Sequence, residues 1–175
     1  MTQNLANNER ERKADLFREL ALDAYHRISE SNAVIDSKTH NMLAITVGLI
    51  PLILGAFYYL ISAGHQVALP FSFLVFVSLA SGAVLFLVAV VIGVWNCKPR
   101  DFSLLHASGF VRDHKDEALV DVKEITAATL GNIVESNRNL VNRKAKGFEA
   151  MLWFVASGTA AFSIGFMLLL TTILN

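Results

Sequence analysis

Residues 39–97 read THNMLAITVGLIPLILGAFYYLISAGHQVALPFSFLVFVSLASGAVLFLVAVVIGVWNC and contain no Lys, Arg, Asp or Glu. A second charge-free run of 26 residues follows Glu149 and reaches the C-terminus. A helix needs about 20 apolar residues to cross the hydrocarbon core of a bilayer. The two runs are long enough for three such helices, so the sequence predicts an all-α integral membrane protein.

The charge pattern divides the chain into six segments, because all fifteen basic and all fifteen acidic residues lie in 1–38 and 98–149. The predicted order is a cytoplasmic amphipathic helix, a transmembrane helix, a short external loop, a second transmembrane helix, a cytoplasmic helical segment and a third transmembrane helix. The predicted bounds are 1–41, 42–62, 63–70, 71–97, 98–149 and 150–174. A cleaved signal peptide is not expected, because a long polar stretch precedes the first apolar one.

The distribution of Lys and Arg predicts the orientation in the membrane. Residues 1–38 carry six of them, residues 98–149 carry nine, and the connection 63–70 carries none. Cytoplasmic segments of membrane proteins are enriched in these residues. We therefore expect a multi-pass protein of the inner (cell) membrane, with a cytoplasmic N-terminus and an external C-terminus.

Both charged segments contain apolar residues at helical spacing, and each helix is expected to continue into the membrane helix that follows it. In the first segment the apolar face is predicted to consist of Phe17, Leu20, Ala24, Ile28 and Ile35. In the second it is predicted to consist of Leu119, Val122, Leu130, Ile133, Val134, Leu140 and Val141. The two helices are expected to pack as a cytoplasmic helical bundle, within one chain or with a second copy.

The membrane segments contain helix breakers and small residues, but no ionisable side chain. Pro51 predicts a bend in the first transmembrane helix. Small residues one turn apart predict close helix packing, either within one chain or in a homo-oligomer, and we expect the homo-oligomer. The small residues are Ser78, Gly82, Ala89, Gly93, Ser157, Ala161 and Gly165. Pumps and proton-coupled transporters place charged groups inside the bilayer, so this composition disfavours that class.

Patterns of catalytic and metal-binding residues are absent from the sequence. It contains no Gly-rich phosphate loop, no His-Glu-x-x-His motif and no Ser nucleophile elbow. The five histidines have no metal-ligand spacing, and Cys97 is the only cysteine. An enzyme, a catalytic residue, a metal and a cofactor are therefore not expected. The formal net charge of zero also disfavours nucleic acid as a partner.

Two polar stretches stand directly before the first and third transmembrane helices and suggest a ligand site. They are Asp36-Ser37-Lys38-Thr39-His40-Asn41 and residues 137–144, which are rich in Asn and Arg. Such groups can bind an anionic ligand such as a nucleotide phosphate. From the residues alone, the favoured interpretation is that they contact lipid headgroups or have a purely structural role. The candidate ligand-binding residues are Asp36, Lys38, Asn137, Arg138, Arg143 and Lys144.

In these two stretches the chain resembles the Pycsar transmembrane effectors, which are membrane proteins of bacterial antiviral defence that respond to cyclic nucleotides. Members of that family have a cytosolic helix ending in Asp-x-Lys-small at the first span, two closely spaced spans, a cytosolic helical segment and a Lys-containing entry to a third span. The matching features are Asp36-Ser37-Lys38-Thr39, the spans on either side of 63–70, the segment 98–149, and NRKAKGF at 142–148.

This resemblance implies a function for the chain. The chain would bind a cyclic pyrimidine nucleotide made by a partner cyclase and then impair the integrity of the inner membrane. The alternative function is that of a small structural or adaptor membrane protein whose cytoplasmic helices dock a partner protein. The partners expected from the sequence are therefore the lipid bilayer, a cyclic pyrimidine nucleotide and further copies of the chain.

Overall fold

The computed structural model describes residues 2–63, 69–98, 103–104, 113–114 and 118–174. Four long helices account for most of them: α1, Thr2–Gly48; α2, Ile50–Ala63; α3, Leu69–Cys97; and α4, Leu119–Leu174. The described ranges contain no strand. The all-α prediction is therefore confirmed for this part of the chain. The centre of the predicted loop 63–70, the residue Pro99 and most of 98–118 lie outside the described residues.

Three helical stretches are long and apolar enough to cross a membrane. They are Asn8–Tyr59, which combines α1 with most of α2, Phe73–Cys97 in α3, and Leu119–Thr171 in α4. This confirms the prediction of a multi-pass membrane protein at that level. The first and last of these stretches also include the charged segments, because α1 and α4 continue from charged sequence into apolar sequence without a loop.

The break between α1 and α2 lies at Leu49, two residues before Pro51. Proline has no N–H group, so the carbonyl of Val47 loses its usual partner four residues further on. The amide of Leu49 is shared between the carbonyl oxygens of Ile45 and Thr46, each at 3.2 Å. The helix therefore tightens by part of a turn before Pro51 and then continues, and the bend itself stays a prediction.

The chain divides into two compact units. The charged unit comprises Met1–Ile35 and Pro99–Lys144, and the apolar unit comprises Asp36–Lys98 and Ala145–Asn175. The boundaries follow the charge pattern closely, since the uninterrupted apolar stretches all belong to the second unit. The helices α1 and α4 contribute residues to both units, whereas α2 and α3 belong to the apolar unit alone.

The apolar unit has a core made of side chains from its three membrane segments. One cluster contains Ile53, Phe86, Ala89, Met151 and Val155, and a second contains Val75, Leu79 and Leu169. Many large apolar side chains face outward, as a helix bundle surrounded by hydrocarbon requires. Among them are the interface-type residues Tyr58, Trp95 and Trp153.

Small residues bring α3 and α4 into close contact within the apolar unit. A Cβ atom on Gly82 would lie 3.1 Å from both the carbonyl oxygen of Gly158 and the backbone nitrogen of Phe162. The hydroxyl of Ser78 donates a hydrogen bond of 2.7 Å to the carbonyl oxygen of Ala161. Close approach at Ser78, Gly82, Ala161 and Gly165 is thus confirmed. The prediction was wrong for Ser157, which is exposed, because its neighbour Gly158 occupies the contact line.

Buried positions on α4 recur every seven residues. Leu130, Asn137 and Lys144 in the charged unit and Met151, Gly158 and Gly165 in the apolar unit form this series. The other buried residues of α4, Val141, Val155 and Leu169, each lie four residues after a member of it. A seven-residue repeat is typical of helices that pack side chains of one helix into gaps of the next. The same phase is therefore kept over both charged and apolar sequence.

The packed face of α1 in the charged unit differs from the predicted one. Phe17 and Leu20 are each 57% exposed, whereas Ala14 is only 1% exposed. The predicted face was therefore wrong at Phe17 and Leu20, whereas its other members Ala24, Ile28 and Ile35 are half-buried. On the same side of α1 as Ala14, the carboxylates of Glu11 and Asp15 form ion pairs with Lys123 of α4.

Candidate functional site

An ion-pair cluster joins α1 to the beginning of α4 in the charged unit. The guanidinium of Arg10 donates from Nε and Nη2 to the two carboxylate oxygens of Glu124, with both distances at 2.8 Å. Its Nη2 also lies 2.8 Å from Oδ1 of Asp121. This paired geometry matches the planar fork of arginine to a carboxylate. Arg10 therefore fixes the register between the two helices.

Lys123 forms the second half of the cluster. Its Nζ lies 2.9 Å from Oδ1 of Asp15 and 3.3 Å from Oε1 of Glu11, and its side chain is only 13% exposed. The hydrogen bond to Asp15 raises the pKa of Lys123. The hydrogen bonds from Arg10 likewise lower the pKa of the Glu124 carboxyl. These contacts thus favour the charged forms of Lys123 and Glu124.

The charged unit should consequently lose stability in acid. The pKa of Glu124 is depressed in the folded chain, so its contribution is complete above its ordinary value of 4.5 and disappears as pH falls below that value. The variant Glu124→Gln should lose less stability than the unmodified chain as pH falls, because it has no carboxyl to titrate at this position. Amide exchange of α1 residues 9–20, followed between pH 3 and 7 in micelles, measures the effect. If the exchange rates of Glu124→Gln rise with acid as steeply as those of the unmodified chain, the Glu124 carboxyl does not cause the loss of stability.

Asn137 makes a two-way contact with the backbone of Ser103. Its Oδ1 accepts a hydrogen bond from the Ser103 amide, and its Nδ2 donates one to the Ser103 carbonyl, each at 2.9 Å. The Asn137 side chain is 1% exposed. Asn137 was a candidate ligand residue, and in this structure both ends of its amide are bonded to the chain itself. It fastens residue 103 to α4.

Replacing this amide by a carboxylate should release residue 103. In Asn137→Asp the hydrogen-bond donor is lost and a carboxylate oxygen faces the Ser103 carbonyl. We therefore expect the free energy of unfolding to fall by about 1–3 kcal/mol. The amide of Ser103 should then exchange faster with solvent. The exposed Asn139→Asp on the same helix is the matched control and should leave that exchange rate as it is. Equal exchange rates of the Ser103 amide in both variants would show that the Asn137 hydrogen bonds do not stabilise the position of residue 103.

The other candidate ligand residues differ in exposure and belong to different units. Asp36 is half-buried and Lys38 exposed in the apolar unit, whereas Arg138 and Arg143 are exposed in the charged unit. Lys144 is only 5% exposed. The six residues therefore do not form one uniform polar surface, and their combination into a single ligand site stays a prediction.

Within the charged unit, one polar face of α4 is open. It carries the exposed side chains of Arg138, Asn139, Asn142 and Arg143. The two guanidinium groups form no ion pair with any described residue, unlike Arg10. An arginine that is free of carboxylates can offer its planar donors to a phosphate. These four residues are called the α4 polar face below, and their role in binding an anion stays a prediction.

A polar junction links the three membrane segments at one end of the apolar unit. The Nδ2 of Asn96 on α3 donates to the hydroxyl of Thr39 on α1 at 3.3 Å, and both side chains are buried. A Cβ on Gly147 of α4 would lie 2.7 Å from Oδ1 of Asn96. Thr39, Asn96 and Gly147 are called the polar junction below. Asn96 could not be predicted from the sequence, because one Asn among apolar residues has no periodic signal.

The polar junction should couple substitutions at Asn96 and Gly147. Gly147→Ala alone brings a methyl group against the side-chain amide of Asn96 and should lower the free energy of unfolding by about 1–3 kcal/mol. In Asn96→Ala/Gly147→Ala the clash is gone, so the double variant should lose less than the sum of the two single variants. Unfolding in mixed micelles followed by circular dichroism measures all four chains. Strict additivity would contradict a direct contact.

Beside the junction, His40 and Cys97 bring the ends of the same helices together. The Nδ1 of His40 lies 2.8 Å from the carbonyl oxygen of Asp36, so this nitrogen carries the proton and donates it. The sulfur of Cys97 lies 3.7 Å from the same nitrogen. In the described part of the chain, no group of three His, Cys, Asp or Glu residues could hold a metal ion.

Comparison of the chain with protein-family models, with curated proteins and with solved structures finds no match.

Proposed function

We propose that the chain is a membrane effector whose charged unit binds a cyclic nucleotide and whose apolar unit then impairs the membrane. The observation that carries the ligand part is the α4 polar face, where Arg138 and Arg143 are exposed and unpaired with described residues. The resemblance to the Pycsar effectors supplies the class of ligand. Asn139 and Asn142 add amide donors and acceptors that suit a nucleobase edge.

The connection between ligand and membrane is supported by chain continuity. The helix that carries the α4 polar face is the same helix that supplies Met151, Gly158 and Gly165 to the apolar unit. A ligand shifts a conformational equilibrium only by its different affinity for the two states. A nucleotide that favours one packing of the charged helices would therefore favour the membrane state that goes with it. Assembly of several chains belongs to this proposal.

The proposed orientation places both charged segments in the cytoplasm. The fifteen Lys and Arg residues in 1–38 and 98–149, set against none in 63–70, support it. Labelling of single cysteines introduced at Glu19 and Arg112 with a membrane-impermeant maleimide, in a Cys97→Ser background, tests it. Both positions should react only after the inner membrane is opened. Reaction of one of them in intact spheroplasts would overturn the arrangement.

The proposed activity can be tested in vesicles. The purified chain is reconstituted into liposomes filled with a self-quenching dye, and cyclic pyrimidine and purine nucleotides are added one at a time. We expect dye release with a cyclic pyrimidine nucleotide and none without nucleotide. Silence with every nucleotide, in vesicles where the chain is shown to be inserted, would contradict the proposal.

Two variants separate ligand binding from membrane damage. Arg138→Gln/Arg143→Gln removes both cations of the α4 polar face and should lower release by about tenfold or more, since each charged hydrogen bond contributes about 1.5–3 kcal/mol. Arg12→Gln/Arg18→Gln removes two exposed cations from α1 of the same unit and serves as the matched control. Equal dye release by the two variants would show that Arg138 and Arg143 do not bind the nucleotide.

An adaptor function is the second candidate, and one observation favours it. Leu16, Phe17 and Leu20 form an exposed apolar strip on α1, with 54–57% of each residue accessible. Exposed apolar patches on water-facing segments often mark protein contacts. In the vesicle experiment an adaptor would be inert with all nucleotides. Phe17→Ser/Leu20→Ser would then be the variant that abolishes capture of a partner.

A further inference from the structure

Three exposed lysines lie at one level of the apolar unit, one on each of its membrane segments. They are Lys38 on α1, Lys98 just beyond the end of α3, and Lys146 on α4. The polar junction sets this level, because Asn96 contacts both Thr39 and Gly147. Lys38 precedes Thr39, Lys146 precedes Gly147 and Lys98 follows Asn96 by two residues. With a rise of about 1.5 Å per helical residue, the three lie within about 3 Å of the junction along the helices.

None of the three lysines forms an ion pair with a described residue. This distinguishes them from Lys13 and Lys123 in the charged unit, which lie 2.7 Å and 2.9 Å from carboxylate oxygens. Among the described residues of this region two are acidic, the half-buried Asp36 and the exposed Glu149. The lysines therefore outnumber the carboxylates, and their ammonium groups are available to an external anion.

Two exposed tryptophans support placing this level near the edge of the hydrocarbon. Trp95 directly precedes Asn96 and is 68% exposed, and Trp153 lies six residues beyond Gly147 and is 69% exposed. Indole rings concentrate where hydrocarbon meets headgroups. Beyond Lys38, no charged residue follows until Lys98, which places the apolar surface on one side of the lysines.

We propose that Lys38, Lys98 and Lys146 form a collar that binds the phosphates of anionic phospholipids around the apolar unit. Each lysine has a different helix as its base, so the collar engages several lipid molecules and not one. An ammonium group near a membrane surface attracts anionic lipid about fivefold over neutral lipid. The lipids next to this protein are thereby selected by charge, independently of any nucleotide response.

The two tryptophans allow a direct test, because the sequence contains no others. Trp153→Phe leaves Trp95 as the only reporter at the level of the collar. This chain is reconstituted in phosphatidylcholine containing a fixed fraction of phosphatidylglycerol, with bromine on the acyl chains of one lipid or the other. Brominated phosphatidylglycerol should quench the fluorescence of Trp95 several-fold more than its bulk fraction predicts for random mixing of the lipids.

The decisive variant is Lys38→Gln/Lys98→Gln/Lys146→Gln in the same background. Its quenching should match the bulk fraction of brominated lipid, which corresponds to an enrichment near one. The matched control, Arg12→Gln/Lys13→Gln/Arg18→Gln, removes the same charge from the charged unit and should keep the enrichment. If Trp95 in the unmodified collar is quenched by each brominated lipid only in proportion to its bulk fraction, or if the control loses as much enrichment as the lysine variant, the proposal is overturned.

A soluble phosphate is the other anion that lysines could bind, and a competition arm separates it from lipid. Inorganic phosphate at 20 mM, against sodium chloride of equal ionic strength, should leave the enrichment unchanged. Selective loss of enrichment with phosphate would assign the lysines to a soluble ligand and overturn the lipid collar. Circular dichroism of each variant in the same vesicles verifies that the helices are retained.

Discussion

Gly82→Leu should abolish the native packing of the apolar unit. A Cβ at this position would meet the Gly158 carbonyl oxygen and the Phe162 backbone nitrogen at 3.1 Å, and the Cβ of Phe162 at 3.3 Å. Two of these atoms are backbone, so no rotation of a side chain can make room. Overpacking of a filled core costs about 1–3 kcal/mol, and a full leucine against backbone lies at or beyond the upper end. Helices α3 and α4 would have to separate, which also breaks the Ser78 hydrogen bond.

The same chain provides a matched control in Gly55. A Cβ there meets nothing within 4 Å, and the residue borders an apolar groove with a volume of about 610 Å³. Gly55→Leu should therefore stay within about 1 kcal/mol of the unmodified chain, with a small gain from helix propensity. Titration of mixed micelles with sodium dodecyl sulfate, followed by circular dichroism, measures both variants. Equal loss in the two would show that the Gly82 contact does not hold the bundle.

Reversing the charge of Arg10 should separate α1 from α4 in the charged unit. Arg10→Glu places a third carboxylate beside Asp121 and Glu124, which now lie 2.8 Å from the guanidinium. Three bonds are lost and like charges are brought together. Amide exchange in residues 9–20 and 119–126 should accelerate markedly in this variant. Because the groups are solvent-accessible, 1 M salt should reduce the difference, as the Debye length falls from about 8 Å to about 3 Å.

Compensation distinguishes this specific contact from a general charge effect. In Arg10→Glu/Glu124→Arg the pair is rebuilt with its polarity exchanged, so much of the protection should return. Arg12→Glu makes the same charge change at an exposed residue of α1 that has no ion pair with the described residues. Its exchange rates should remain close to those of the unmodified chain. A double variant as unprotected as Arg10→Glu would argue against the pairing.

The membrane segments could be predicted from the sequence because hydropathy is additive along a helix. The absence of charge between Lys38 and Lys98 decides that result without any knowledge of packing. Continuity of α1 and α4 followed from the lack of helix breakers, and the interruption at Leu49 followed from Pro51. These properties depend on local chemistry, which one sequence contains in full.

Packing partners were harder to predict, because they depend on which neighbour each face meets. Phe17 and Leu20 have more apolar surface than Ala14, yet Ala14 is the buried residue, since charges on its side meet Lys123. Asn137 was predicted to be a candidate ligand-binding residue, and its side chain is buried against the backbone of Ser103. The contact with α3 is made by Gly158 and not by its neighbour Ser157. Both are small residues, and spacing alone does not show which of the two faces the neighbouring helix.

The seven-residue repeat of α4 restricts how this chain can change its length. One residue inserted between Lys144 and Met151 would rotate all later positions by about 100°, since an α-helix has 3.6 residues per turn. Gly158 and Gly165 would then leave their neighbours, and bulky side chains would take their places. Seven inserted residues would restore the phase. Evolutionary drift in the length of this helix is therefore expected to proceed in steps of whole heptads.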